Sequence, residues 1–339
     1  MMHVYIIAEA GVNHNGNIEL AKKLIDAAVD AGCDAVKFQT FRADSIVTRT
    51  AQKACYQKNN DNLSETQYEM LKRLELSRSE HITLIEYCNQ KNIKFLSTPF
   101  DENSADLLDE LGVNEFKVSS GDLTNKPLLE HLAKKGKRII LSTGMAYLDE
   151  IEKAISWIYG AKNTNVLLMH CTSRYPAPPE AVNLNAISTM KNAFNLEVGY
   201  SDHTVGLTIP VAAVAMGAIA VEKHFTLDRN MQGPDHKASI EPQELKQMVE
   251  SIRLVEKAMG SGVKAPAPGE EEMAKTARKS LVTARAVCAG QVISRDMITV
   301  KRPGTGISPE NLARVLGMRF TRDLPADYVI ETGDIHGEV

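Results

Sequence analysis

Apolar residues along this chain keep two spacings, and the two alternate. Short runs dense in Val, Ile, Leu and Phe fall at 4–11, 35–40, 94–100, 115–121, 138–144, 165–171, 197–203 and 218–225, with the length and β-branched content of strands. Between and after them lie stretches at 18–31, 79–91, 102–111, 128–135, 148–159, 184–193, 206–217 and 242–258 whose patterning predicts helices that bury one face. Eight strand–helix units in about 250 residues predict an α/β fold of the (β/α)8 barrel type, in which closure leaves no sheet edge exposed. An open doubly wound α/β sheet is the alternative arrangement of the same elements. The strand ends favour the barrel. Glu9, Lys37, Gln39, Thr98, Lys117, Ser120, Ser142, Ser173, Ser201, His203 and His224 sit at or just past the carboxyl ends of the runs. A barrel gathers such residues into one mouth, whereas an open sheet strings them along a crest.

After the eighth unit the pattern changes. Residues 261–280 are rich in Gly, Pro and charge and predict a linker. Residues 281–339 hold short β-like runs broken by AGQ, RPGTG and LPAD turns, with one short helix at 309–316, and predict a small, mostly irregular β domain behind a 1–260 barrel. A chain of 339 residues is long enough for both. Its net charge of −4 offers no general attraction for nucleic acid or a membrane surface, so an anionic ligand must be met by local cations. Five scattered cysteines without a CxxC pair predict reduced thiols and a cytoplasmic location. There is no run of about 18 apolar residues and no signal-peptide layout, so no membrane association is expected.

Two features carry candidate chemistry. His203 and His224 close successive strand–helix units, so parallel neighbouring strands about 4.8 Å apart would turn both imidazoles into one pocket. An imidazole pair suits a divalent metal whose remaining positions are filled by oxygen, with Asp202, Glu222 and Asp235 as carboxylates to support the rings. Lys37 and Lys117 lie within strand-like runs, where an inward lysine is costly unless it meets an anion. Thr98-Pro99, Ser120-Gly121 and Ser142-Thr143-Gly144 add hydroxyls and backbone N–H groups at turns into helices. Together they predict a small, doubly charged ligand such as a phosphorylated carboxylate. Neither a phosphate-loop motif nor GxGxxG is present, which argues against an ATPase or a dehydrogenase.

AEAGVNHNG (8–16), KFQTF (37–41), STPFD (97–101), SSGD (119–122), ILSTGM (140–145), HCTSRYPAP (170–178), GYSDHT (199–204), EKHFTLD (222–228), GPDHKASIEP (233–242) and KRPGTGIS (301–308) resemble, in this order and over nearly the whole chain, the sialic acid synthases of the nonulosonic acid synthase family. The resemblance implies condensation of phosphoenolpyruvate with an open-chain N-acetylated hexosamine, giving a nine-carbon 2-keto acid and phosphate. It implies a Mn2+ or Mg2+ ion held by His203 and His224, with Glu9 ordering water or moving a proton. Lys37, Thr98, Lys117, Ser120, Ser142, Ser173 and Ser201 match positions that hold phosphoenolpyruvate, and Gln39, Asp122, Tyr175 and Asp235 match positions that meet the sugar. Asp122 stands where relatives often carry Glu, and Ser173 where they carry Asn or Thr. The segment 54–69 varies in length within the family, which leaves Asn59, Asn60 and Asn62 as alternatives for a sugar-contacting asparagine. The terminal domain resembles an antifreeze-like (SAF) module, and Arg302 matches an arginine that reaches the N-acetyl group in the other subunit of a domain-swapped homodimer. The first expectation within the family is an N-acetylneuraminate synthase acting on N-acetylmannosamine. The second is an N,N'-diacetyllegionaminic acid synthase acting on 2,4-diacetamido-2,4,6-trideoxymannose, and a noncatalytic sugar-binding protein is the third.

Overall fold

The computed structural model describes residues 3–53 and 65–336. The chain divides into two compact units, Met1–Ser261 and Gly262–Val339.

Eight parallel strands form the first unit: β1 (Tyr5–Gly11), β2 (Ala35–Thr40), β3 (Lys94–Pro99), β4 (Glu115–Val118), β5 (Arg138–Ser142), β6 (Val166–Cys171), β7 (Val198–Asp202) and β8 (Ala220–His224). The ladder runs β3-β2-β1-β8-β7-β6-β5-β4, and β3 and β4 lie alongside each other at the seam of a nearly closed barrel. The alternation of elements has therefore produced the barrel and not the open sheet. A helix follows each strand, and several of these helices have local reasons to begin and end. In Ile18–Ala31, for example, the Asn17 side chain accepts from the backbone N–H groups of Glu19 and Leu20, and Gly32 ends the helix at φ 80°.

Side chains alternate along a strand, so parity decides which of two cores a residue joins. Ile6, Ala8, Val36, Phe38 and Val221 face outward and pack against helices. Phe116, Val118, Ile139, Leu141, Leu168 and Tyr200 do the same on the other half of the barrel. The opposite parity fills the axis with an apolar layer of Ile7, Ala35, Leu96, Ile140, Leu167, Met169 and Ala220. Gly199 makes room for that layer, since a Cβ there would stand 2.5 Å from Met169 Sδ. One step nearer the carboxyl ends, the same parity brings Glu9, Lys37, Lys117, Ser142, Ser201 and Glu222 onto the axis. The axis is thus plugged below and polar above.

Three local details depart from the sequence pattern. The strand expected at 115–121 stops at Val118, and Ser120–Asp122 turns into a 3-10 helix that carries Ser120 and Asp122 across the mouth. Among the described residues between β2 and β3 are two further helices, Ala43–Ile46 and Gln67–Lys72, the second opened by a Thr66/Glu69 capping box. The stretch expected to be a linker contains the helix Glu270–Ala277.

In the second unit, β9 (Ser280–Thr283) pairs antiparallel with β10 (Ile298–Lys301), and β11 (Arg319–Phe320) with β12 (Ile335–His336). Leu281, Val287, Ile298, Val315, Phe320 and Ile330 form its own core. Among the described residues no helix is long and apolar enough to cross a membrane.

Candidate active site

The charged layer on the barrel axis is the floor of a cavity of about 890 Å³ at the carboxyl ends of the strands. Register explains how its groups meet. Glu9 is paired with Lys37 on one side and His224 on the other, so adjacent strands deliver all three to one level. Lys37 Nζ lies 2.8 Å from Glu9 Oε2 and 3.7 Å from Glu222 Oε2, and it donates to Thr98 Oγ1 at 3.1 Å. Lys117 Nζ donates to Ser142 Oγ at 2.6 Å and stands 3.6 Å from Glu222 Oε1, which also accepts from Ser201 Oγ at 2.9 Å. Glu222 therefore bridges the two lysines. Gln39 Nε2 donates to Glu9 Oε1 at 3.3 Å.

Burial and charge pull these groups apart in acidity. Burial pushes Glu9 above the usual carboxylate range, against the pull of Lys37. Burial acts on Glu222 in the same sense, but Lys117 and Lys37 flank it and hold it below that range. Burial lowers Lys117, against the pull of Glu222. Around Lys37 the same effect is outweighed by Glu222 and Glu9, which raise it. Two carboxyls in one site, one shifted toward its neutral form and one held ionised, are the arrangement of an acid–base pair beside an anion cradle.

His203 and His224 face each other above this floor, ring centroids 5.4 Å apart, with Tyr175 4.2 Å from the first and 6.1 Å from the second. His203 Nδ1 lies 3.0 Å from Thr172 O, which commits that nitrogen as a donor and leaves Nε2 as the ligand atom. Burial holds His224 neutral, and its buried Nδ1 has no hydrogen-bond partner. A neutral ring with an orphaned nitrogen fits a metal ligand. Among the described residues no three His, Cys, Asp or Glu side chains converge on one point. The protein can thus offer a cation two imidazole ligands, with oxygen from substrate or water for the rest.

The sequence pattern places Asp202 behind these rings. The structure corrects this: Asp202 has outward parity, binds the Lys223 ammonium and accepts from the Tyr200 hydroxyl at 2.9 Å, on the far side of the sheet. Cys171, which sequence analysis did not single out for chemistry, stands with its Sγ 3.8 Å from His203 Nδ1. Burial would raise the thiol and lower the imidazole, but their contact drives both the other way.

At the rim, Ser120 Oγ accepts from the Gly144 N–H at 2.9 Å, and a Cβ on Gly144 would come within 2.3 Å of Ser173 Oγ. Both hydroxyls therefore converge on a bare stretch of backbone. Asp122 accepts from Ser119 Oγ at 2.8 Å and Asn125 Nδ2 at 3.1 Å, and burial raises its carboxyl. Burial likewise pushes Asp235 up to about 6. Every barrel residue assigned to substrate or metal lines the same cavity. Arg302 belongs to the second unit, where its Nε donates to Ala277 O at 3.1 Å. Asn59, Asn60 and Asn62 lie outside the described residues.

Two groups of cavity residues escaped the sequence reading of roles. Glu222, expected behind the metal, sits between the lysines, because the register of β8 against β1 and β7 turns it onto the axis. An apolar wall of Ile46, Val47, Met70, Leu71 and Leu74 comes from the stretch between β2 and the helix Arg78–Gln90, in which the sequence pattern predicts no helix.

The NeuB family profile matches residues 24–264 and the SAF domain profile residues 278–335. The chain is 50% identical to an N,N'-diacetyllegionaminic acid synthase of Campylobacter jejuni over 97% of its own length and 99% of that protein. It is 49% identical to an N,N'-diacetyllegionaminic acid synthase of Legionella pneumophila, over 96% of this chain and 92% of that one. The crystal structure of an N-acetylneuraminic acid (sialic acid) synthetase from Leptospira borgpetersenii in complex with citrate is similar at 38% identity and a TM-score of 0.71, covering 80% of this chain and 90% of that one.

Proposed function

Because this chain belongs to the NeuB family, with a SAF domain behind its barrel, and is a carbon–carbon bond-forming synthase, we propose that it joins phosphoenolpyruvate to a 2,4-diacetamido-2,4,6-trideoxyhexose, giving a diacetyllegionaminic acid and phosphate. As a synthase it is not the noncatalytic sugar-binding protein that the sequence also allowed. The observation that carries the acceptor is the apolar wall. Phe41 and Phe100 belong to the KFQTF and STPFD motifs, whereas Ile46, Val47 and Leu71 lie between those motifs. A wall of that kind suits the ring methyl and acetamido methyls of a 6-deoxy sugar better than the hydroxymethyl of N-acetylmannosamine.

On this reading Lys37 and Lys117, with Thr98, Ser142 and Ser201, bind the phosphate and carboxylate of phosphoenolpyruvate. Carbon 3 of the donor attacks the acceptor aldehyde, water adds at carbon 2, and phosphate leaves by C–O cleavage. The aldehyde oxygen must gain a proton and the water must lose one. Glu9, shifted toward neutrality, exchanges a proton with either at neutral pH. Ionised Glu222 keeps the two lysines apart and aligned. His203 and His224 would hold a divalent cation, Mn2+ or Mg2+, whose contribution is Lewis-acid polarisation of the aldehyde. Gln39, Asp122, Tyr175 and Asp235 orient the sugar, and Arg302 from a second subunit would meet an acetamido group.

A second reading, N-acetylmannosamine as acceptor, is favoured by the Asp122–Asn125 pair, which suits a sugar hydroxyl. Phosphate release from phosphoenolpyruvate with each sugar decides between them. The 6-deoxy diacetamido acceptor should show a kcat/KM about 10–100-fold higher. Equal or reversed values would establish the second reading, and no release with either would reject both.

A further inference from the structure

The turn at residues 12–16 and the loop that carries Asp235 both belong to shared motifs, yet only Glu9 and Asp235 of those motifs have a place in the chemistry. The structure gives their neighbours a common task. Asn13 Nδ2 donates to Phe225 O at 2.8 Å and to Ser239 Oγ at 3.0 Å, and Ser239 Oγ donates to Asp235 O at 2.7 Å. Asn15 Nδ2 donates to Gln232 O at 2.9 Å, and its Oδ1 stands 3.4 Å from His236 Nε2. The other ring nitrogen of His236 lies 2.6 Å from Thr226 Oγ1. The loop is thereby pinned before and after Asp235, once at Gln232 and again at Ser239. Asn13, Thr226, His236 and Ser239 are buried, so water does not compete for the bonds that these four make, whereas the Asn15–Gln232 bond is exposed. The fit is close, because a Cβ on Gly233 would come within 2.6 Å of Asn15 Oδ1 and 2.7 Å of His236 Cδ2. Pro234 and Asp235, between the pins, line the cavity.

We propose that Asn13 and Ser239 are positioning residues that fix the Asp235 carboxylate for the acceptor without touching either substrate. The proposal rests on the reading that Asp235 meets the sugar. A contact set by backbone placement is sensitive, since a misplacement of about 1 Å costs on the order of 100-fold in rate.

The test is a KM split in the full-length enzyme. Ser239→Ala should raise KM for the preferred acetamido acceptor about tenfold and leave KM for phosphoenolpyruvate within about twofold. Ser239→Thr keeps the hydroxyl and should restore the acceptor KM. Gly233→Ala, which presses on the loop from the other side, should give the same split. In an Asp235→Asn background Ser239→Ala should add nothing, because both act through one carboxylate. An unchanged acceptor KM, an equal rise in both KM values, or a further rise in the Asp235→Asn background would overturn the proposal. A wild-type protein that releases no phosphate with any acetamido hexose would overturn the functional reading itself and this proposal with it, a result visible before any variant is made.

Discussion

The two units of this chain treat buried polarity in opposite ways. Among the described residues of the second unit the buried polar side chains are Ser280, Thr283 and Asp334, and each has partners: Ser280 Oγ donates to Pro303 O, Thr283 Oγ1 to Pro325 O, and Asp334 accepts from Arg322 and from the Glu331 N–H. In the barrel unit Glu9 Oε2, Glu222 Oε2, His224 Nδ1, Asn13 Oδ1 and His14 Nε2 are buried without a hydrogen bond of ordinary geometry, the two carboxylate oxygens meeting only the Lys37 ammonium at 2.8 and 3.7 Å; among the described residues, no buried side-chain atom outside this unit shares that state. The first three surround the cavity, and Asn13 belongs to the network behind Asp235. A buried polar atom without a hydrogen bond costs stability, so such atoms persist where something other than stability keeps them. One unit is built as a core; the other gives up stability around a site for ligands.

The hardest blow to this contrast falls on the floor. Lys117→Met combined with Glu222→Gln removes charge from both partners of a buried pair, so the melting temperature should hold or rise while kcat/KM falls about 1000-fold. A melting temperature that drops with the activity would make the floor a structural feature and erase the difference between the units. The converse change is Phe320→Ala in the second unit, where a fully buried ring is lost from a satisfied core. It should cost that unit about 3 kcal/mol. Hydrogen exchange should report this as faster exchange in β9–β12, with rates in β1–β8 unchanged.

Acidity sharpens the contrast further. Burial lowers His14 and His236 to about 4 from an ordinary 6.5, whereas the second unit's sole described histidine, His336, is exposed. Between those values the unfolded chain binds protons at both rings and the folded barrel does not. Barrel stability is therefore present above about pH 6.5 and is lost as pH falls toward 4, by up to about 1.4 kcal/mol per pH unit for each ring. Denaturant titrations between pH 7 and 4.5 should show this slope for the barrel transition, and His14→Gln should flatten it. A slope unaffected by that substitution would mean that the ring is already charged in the fold.

The smallest expected effect lies within the cavity. Leu71→Asn makes part of the apolar wall polar and should narrow the preference for the 6-deoxy acceptor about tenfold with little change in phosphoenolpyruvate KM. No change in preference would remove the wall from the account of specificity.

Much of this was legible in the chain. Alternating elements gave the barrel, because eight strand–helix units that bury both sheet faces close most economically on themselves. Lys37 and Lys117 could be read as partners of an anion, because a lysine buried in an apolar run is costly without one, although Lys223 meets that need on the outer face with Asp202. His203 and His224 could be read as partners, because successive parallel strands end at one level. The Thr66/Glu69 box was also in plain view as a helix start and went unused, which hid the wall that Leu71 helps to build.

What the sequence determined by itself is the order of elements, their closure and the residue types at the strand ends, since these follow from local periodicity and from the cost of burying charge. What only the tertiary structure decided is which neighbour each buried charge meets. A barrel strand is apolar on both faces, so its pattern does not show which parity looks inward. Closure set that parity, sending Asp202 and Lys223 to the helices and Glu222 between the two lysines on the axis.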